Sequence, residues 1–496
     1  MRNHPWFLYL IVLFFFLLGL GQFGPYILLS SLLVPFTCFS LLALIIHLGF
    51  RKKDNRQAVY QMSFVLLVCY LFFEDIHHFA KETVILRSLS SYTLFLPLLL
   101  ILCTGLFLVL KKYHTRLSDV SLFLNRLMLI LCVIQGFMVM NRYLKPAPAI
   151  TTNMSFQTNQ STSQPDIYLV LFDEYPGLRS QHEFFKLDTR NFENALKQEG
   201  FHIQDSIQSN YTITVASMSS LLNMQYVDTA KLMPVNNYSL FLKCFRSINQ
   251  NNFVSLLKKS GYSIHNHSIF NLDHQEAPQR FELLKQNADL VMKKTFFQQL
   301  KKDVLWNLWV GKHKMDFFVQ RYLLQVHHQN NRAIQDLLSQ QWPEHTGPHF
   351  SYTHLMLPHE PFFTDSTGRL YNEQYDQKDS LTKVKDYIRY TNKRMIEIAK
   401  ALHKRPNAIV LLLSDHGYRD YPDSLNGFKF DNFMAISLPD QQYDEIRNIR
   451  TNVNIFRFIA NRFLNQKLPM LPDQRFLIDE EKNRIQSFDT DQISSK

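Results

Sequence analysis

Between Trp6 and Met140 the sequence carries long runs of Leu, Phe and Ile, several of them near the roughly 20 residues that a helix needs to cross the hydrocarbon core of a bilayer. Five such runs lie at approximately 6–22, 26–49, 58–76, 89–110 and 119–140. A cleaved signal peptide accounts for one run and not five. The first third of this 496-residue chain is therefore expected to be a bundle of about five transmembrane helices over residues 1–144. Arg51, Lys52, Lys53 and Arg56, and Lys111, Lys112 and Arg116, fall on the side that also holds Arg2, whereas the connections near Gln22–Gly24 and Glu74–Arg87 are poorer in positive charge. Cytoplasmic loops carry the excess of Lys and Arg, so an odd number of spans with the N-terminus inside puts everything after Asn141 outside.

Part of the net charge of +11 sits in these topogenic clusters, which favours attraction to anionic lipid or phosphorylated substrates over nucleic acid. Cys38, Cys69, Cys103 and Cys132 lie in the apolar runs and only Cys244 lies outside them, so no disulfide can staple the outer domain. Its stability must come from a core.

From Lys145 to Pro165 the stretch "KPAPAITTNMSFQTNQSTSQP" reads as an extended linker, residues 145–165. After it the pattern changes to that of an α/β domain over 166–440. "DIYLVLF" (166–172) is a short, almost wholly apolar run, as expected of a strand buried on both faces of a parallel sheet. A helical pattern at Phe192, Ala195 and Leu196 stops at Gly200, and "FHIQDSI" can form another strand. The same helix–Gly–strand step recurs in "NNFVSLLKKSGYSIHN", and the segment from about 280 to 342 reads as mostly helical. "HFSYTHLML" (349–357) is expected as a strand, Leu381, Val384, Ile388, Met395 and Ile398 as one face of a long helix, and "AIVLLLS" (408–414) as another strand. Such alternation indicates a sheet covered by helices on both faces. In a C-terminal part, 441–496, "TNVNIFRFIANRFL" suggests a core-packing helix and "DTDQISSK" a mobile tail.

In open α/β sheets ligands bind beyond the carboxyl ends of the strands. Two of the expected strands end on acids, Asp173 with Glu174, and Asp415 with His416 and then Gly417. Carboxylates plus one imidazole make a divalent-cation site, with Zn or Mn first and Ca or Mg as alternatives. A single strand-end Asp is more often a cap, so the case rests on two further segments. In "YTITVASMSSLLNMQY" (211–226) Thr and Ser precede a Leu-Leu pair, a loop leading into a helix whose N-terminus can hold an anion. In "HLMLPHEPF" (354–362) His354 and His359 flank a strand end, with Pro358 and Pro361 around His359.

This set resembles the alkaline phosphatase and sulfatase superfamily, and within it the membrane-bound sulfatase-like proteins that include phosphoethanolamine transferases and lipoteichoic acid synthases. The resemblance covers roughly residues 164–440 and implies an α/β sandwich of alkaline phosphatase-like fold after the helix bundle. It puts the first acidic ligand at Asp173, the nucleophile at Thr214 with Thr212 and Ser217 as other registers, and the Ser-Asp-His-Gly pair at Asp415 and His416. It makes Thr214 a metal ligand too, and His359, His354 and Arg419 substrate contacts, with Lys429 a weaker candidate. A Thr at 214, in place of the Cys of a C-x-P-S-R signature, leaves formylglycine chemistry unavailable. One metal ion is the simpler expectation, with His354, Asp420 and Asp431 as the residues that could supply a second.

What the resemblance implies is a metal-dependent phospho-group transferase or phosphodiesterase, carrying a phosphoethanolamine- or phosphoglycerol-like group on a threonine. The substrate is then a membrane lipid or cell-envelope glycan, and the site lies on the periplasmic face of a cytoplasmic (inner) membrane. The alternatives are a sulfatase-like hydrolase of sulfated or phosphorylated glycans and a non-catalytic, membrane-anchored binding protein.

Overall fold

The computed structural model describes residues 4–113, 117–144, 149–157, 164–204, 206–232, 237–279, 286–305, 316–339, 347–360, 362–371, 379–479 and 484–488. The C-terminal stretch 489–496, Pro361 and parts of the 145–165 linker lie outside the described residues. Two compact units divide the chain, one of residues 1–147 with 282–319, the other of 148–281 with 320–496.

The first unit is helical: α1 (Trp6–Phe23), α2 (Leu33–Phe50), α3 (Arg56–Leu71), α4 (Phe73–Glu82), α5 (Tyr92–Lys112) and α6 (Leu117–Leu144). Four helical segments are long and apolar enough to cross a membrane, Trp6–Tyr26, Leu29–Phe50, Tyr92–Lys112 and Leu117–Leu144. The third expected span is different. It breaks into α3 and α4, bent by 72°, so the candidate spans among the described residues number four, or five if the bent pair counts as one. The break falls where Glu74, Asp75, His77 and His78 follow the apolar run, and such residues are expensive in hydrocarbon. Around the break, the Glu74 N–H donates to Lys294 O at 2.9 Å, Lys294 Nζ pairs with Asp75 at 3.2 Å, and the Phe73 ring meets Phe296 edge to face. Residues 286–305 thus pack with the N-terminal helices, which their Gln- and Lys-rich pattern did not announce.

The second unit is built on a six-stranded sheet: β1 (Asp166–Phe172), β2 (His202–Ile203), β3 (Ser263–His267), β4 (His349–Leu355), β5 (Ala408–Ser414) and β6 (Met434–Ser437), in the order β2-β6-β5-β1-β4-β3. β3, β4, β1 and β5 run parallel, while β6 is antiparallel to β5 and pairs with β2. The expected strand "FHIQDSI" shrinks to two residues. Every residue of β4 and β5, and all but the first of β1, is buried. Central position explains why β1 and β5 are apolar almost throughout, whereas β4, equally buried, carries His349, Ser351, Thr353 and His354 among its apolar residues. Helices Arg190–Gln198, Asn252–Lys259 and Ser380–Leu402 follow the sequence pattern. The helix Ile455–Phe463 reaches the core, where the Phe456 ring stacks on Phe253 with centroids 3.9 Å apart.

Register places the chemistry. Phe172 stands opposite Leu355 of β4 and Ser414 of β5, so Asp173 and Asp415 leave the sheet at the same level on adjacent strands.

Candidate active site

Asp173 extends the ladder by one bond, its N–H donating to Leu355 O at 2.9 Å. Glu174 then adopts a left-handed backbone conformation, φ 62°, that aims its own N–H at Asp415 Oδ1, 3.0 Å away. From the β5 side, Gly417 follows His416 because a Cβ there would lie 2.6 Å from the carbonyl oxygens of both Asp431 and Phe428. The Gly417 N–H donates to Lys429 O at 3.0 Å, so Lys429 contributes its backbone to this turn.

Thr214 opens the helix Thr214–Asn223, after an extended Ile213. Its Oγ1 lies 3.2 Å from His416 Nε2 and 3.5 Å from Asp173 Oδ1. The other two registers are engaged elsewhere: Thr212 Oγ1 accepts from the Ile478 N–H at 3.2 Å, and Ser217 Oγ donates to Asp415 O at 2.5 Å. That second bond ties the helix to the strand end.

Asp173, Asp415 and His416, all buried, offer ligand atoms within 4.8 Å of one another, the one such group of three or more among the described residues. The donor set fits a cation. His416 Nδ1 lies 2.7 Å from Gly417 O, so in the neutral imidazole that nitrogen carries the proton and the Nε2 lone pair stands 3.2 Å from Asp415 Oδ2. Asp415 Oδ2 is buried without a hydrogen-bond partner. Two lone pairs facing each other in a buried space call for positive charge between them. Burial and the neighbouring Asp173 charge push the Asp415 carboxyl up. At Asp173 burial acts in the same direction, but the imidazoles of His359, His354 and His416 outweigh it and hold that carboxyl below the usual range.

His354 is not where a substrate contact belongs. It is fully buried, with Nε2 2.9 Å from Asp173 Oδ2 and Nδ1 2.8 Å from the Tyr352 hydroxyl, so both ring nitrogens are committed. His359 stands at the rim. Its Nε2 accepts from Arg419 at 2.7 Å, and its Nδ1 lies 2.5 Å from Glu360 O. Arg419 also reaches Glu174 Oε2 at 3.4 Å, and its N–H donates to Glu174 Oε1 at 2.8 Å. Burial opposes ionisation of Glu174, but Arg419 and then His359 hold its carboxyl below the usual range. The result is a clamp whose guanidinium is balanced by Glu174, the Arg419 side chain remaining 38% exposed.

The three residues considered for a second cation lie elsewhere: His354 behind Asp173, Asp420 within 3.5 Å of the Tyr418 hydroxyl, and Asp431 accepting the Ser180 N–H at 2.7 Å. Sequence reading passed over Tyr352 and Asn452, whose Nδ2 lies 3.3 Å from Asp415 O. Tyr352 alone had a signal, since residues two apart on a strand share a face and it stands two before His354.

The Sulfatase family model matches residues 177–456, more than half of the chain. The chain belongs to that family, within the alkaline phosphatase and sulfatase superfamily, and is a membrane-bound enzyme of it. Thr214, Asp415 and His416 fall inside the matched range, and Asp173 lies four residues before it. Curated proteins yield no sequence match. Similar solved structures include the C-terminal periplasmic domain of EcEptC from Escherichia coli (12% identity, 69% of this chain and 97% of that one, TM-score 0.41). Another is the integral membrane lipooligosaccharide phosphoethanolamine transferase A (EptA) from Neisseria meningitidis (11% identity, 93% and 95%, TM-score 0.37). A third is the phosphonate monoester hydrolase of Agrobacterium radiobacter (12% identity, 63% and 80%, TM-score 0.37).

Proposed function

We propose that this enzyme transfers a phospho-group, phosphoethanolamine- or phosphoglycerol-like, from a membrane lipid to an envelope acceptor through Thr214, on the periplasmic face of the inner membrane. The observation that carries the reading is the position of Thr214 Oγ1 beside His416 Nε2 and Asp173 Oδ1, at the helix N-terminus.

Zinc is the cation that this donor set favours. One carboxylate oxygen at each acid already has a partner, Asp173 Oδ2 with His354 and Asp415 Oδ1 with the Glu174 N–H. What remains is one atom per residue: Asp173 Oδ1, Asp415 Oδ2, His416 Nε2 and Thr214 Oγ1. Four donors with one nitrogen suit a tetrahedral zinc site, whereas calcium takes six to eight oxygens. Such a cation supplies the charge that lowers the pKa of the threonine hydroxyl.

The chain's own groups do the rest. Thr214 Oγ1 attacks phosphorus, the Oγ1–P bond forming as the bond to the donor's alcohol oxygen breaks, and the alcohol leaves with a proton. The first-turn N–H groups of the Thr214–Asn223 helix lack intrahelical acceptors and face the anion with partial positive charge. Arg419 supplies positive charge to the phosphoryl oxygens at the rim, and His359, accepting from it, orients the guanidinium. An acceptor hydroxyl then attacks the same phosphorus and frees Thr214. A threonine cannot become formylglycine, which is why sulfate-ester hydrolysis is the poorer reading.

The test is peptide mass spectrometry across residues 211–226 after incubating the detergent-solubilised protein with inner-membrane phospholipids and zinc. A phospho-head-group adduct on Thr214, absent from Asp415→Ala, is expected. An unmodified Thr214 with turnover intact overturns the covalent route.

A further inference from the structure

β4 carries Tyr352 and His354 on one face, and both side chains are fully buried behind Asp173. The chain of contacts runs Tyr352 Oη to His354 Nδ1 at 2.8 Å, then His354 Nε2 to Asp173 Oδ2 at 2.9 Å. A phenol is a donor at neutral pH, and an ionised carboxylate is an acceptor only. The arrangement that leaves no polar atom without a partner has the Tyr352 hydroxyl donating to Nδ1 and the Nε2–H donating to Asp173 Oδ2. The Phe270 ring lies against the imidazole, with centroids 5.6 Å apart, and the Gln279 Nε2 donates to His354 O at 2.8 Å, so ring and backbone are both held.

We propose that Tyr352 and His354 are positioning residues that fix the tautomer of the imidazole, occupy Asp173 Oδ2, and so present Asp173 to the metal through Oδ1 alone. The inference rests on the metal site proposed above but not on the transferase reading. Its consequence is selectivity. A carboxylate with both oxygens free can chelate a large oxygen-loving cation such as calcium, whereas one with a single free oxygen suits a small, four-coordinate ion. Outer partners of this kind typically change metal affinity by about 10- to 100-fold when removed.

The experiment measures zinc and calcium dissociation constants by chelator competition on the purified full chain, for wild type, His354→Phe, His354→Gln and Tyr352→Phe. Thermal unfolding of the metal-free proteins is recorded alongside. His354→Phe should weaken zinc by about 10- to 100-fold while weakening calcium far less, so that the zinc-over-calcium ratio falls. His354→Gln keeps an N–H donor near the Nε2 position and should restore most of the loss. Tyr352→Phe, which retains the ring, should move the ratio in the same direction by a smaller factor. Activity of His354→Phe should recover when zinc is raised. If zinc and calcium weaken equally, or if zinc affinity stays within about twofold of wild type in both His354→Phe and Tyr352→Phe, the inference is wrong. If His354→Phe does not fold, the ratio in Tyr352→Phe decides. A changed ratio with no adduct on Thr214 would retain this role and discard only the covalent transfer step.

Discussion

The two units solve opposite problems of burial. In the helical unit Ile45, Leu100 and Val133 face outward, 67%, 68% and 65% exposed, while Gln57, Gln61, Ser121 and Asn125 are buried. There the Gln61 Nε2 donates to Ser121 Oγ at 3.2 Å, and Ser121 in turn donates to Gln57 Oε1 at 2.7 Å. In the α/β unit the apolar residues are inside, and Leu381 and Met470 are the two large ones exposed among the described residues. Its most deeply buried acids are Asp173 and Asp415, at the sheet edge. Polar groups are interior in both, for different reasons. A helix in lipid gains nothing from turning a leucine inward, so polar side chains serve as the contact between helices. In water apolar burial drives the fold, and an acid is kept inside at a cost for the chemistry it performs.

Changes at the acid cluster should therefore remove function, and changes in the helical polar network should remove only stability. Thr214→Ala has the largest expected effect, a fall in turnover of about 10³-fold or more, as for loss of a nucleophile. A smaller loss in a steady-state assay would break the assignment of the site.

Gly417→Ala comes next. Its methyl group would meet two carbonyl oxygens at 2.6 Å, so the turn must shift and carry His416 with it. The expected destabilisation is about 1–3 kcal/mol by thermal unfolding, together with weaker zinc binding by calorimetry. Unchanged zinc affinity would mean that the turn does not hold His416.

Asp431 sharpens the comparison through pH. Burial raises its carboxyl from 3.8 to about 6. The native state then holds more protons than the unfolded chain between about pH 4 and 6, so this group's contribution to stability falls as pH rises through that window and stays low above it. Asp431→Asn keeps an oxygen to accept the Ser180 N–H. Its melting temperature relative to wild type should be higher at pH 8 than at pH 4, and a constant difference would refute the buried charge.

The smallest effect is expected of Gln61→Leu, about 1 kcal/mol in the stability of the solubilised protein, with turnover of a water-soluble phosphodiester unchanged. A loss of turnover there would show that the helical unit does more than anchor.

Legibility followed the same divide. β1 and β5 were readable because central strands of a parallel sheet are apolar almost throughout, and a run of about seven such residues between turns has few other uses. β6, four residues long, was not read as a strand, since Met434–Ser437 is too short to show a period. The break between α3 and α4 was hidden because hydropathy averages over a window and does not register a bend. Asp173, Thr214, Asp415 and His416 were selected by motif and order, and the geometry brings their side chains together. The resemblance assigned His354, which with His359 flanks a strand end, to substrate. Which side of Asp173 it occupies depends on the direction of a strand face, which only the assembled sheet sets.

The sequence by itself determined that apolar helices precede an α/β sheet, that two of its strands end on acids, and that a threonine rather than a cysteine stands before the Leu-Leu pair. These are local properties, carried by runs of a few residues. Tertiary structure decided that Asp173 and Asp415 leave adjacent strands at one level, that residues 286–305 pack with the N-terminal helices, and that one oxygen of each acid is hydrogen-bonded to a neighbour. Those outcomes depend on register and on partners distant in the chain, and no local pattern encodes the distance between two strand ends.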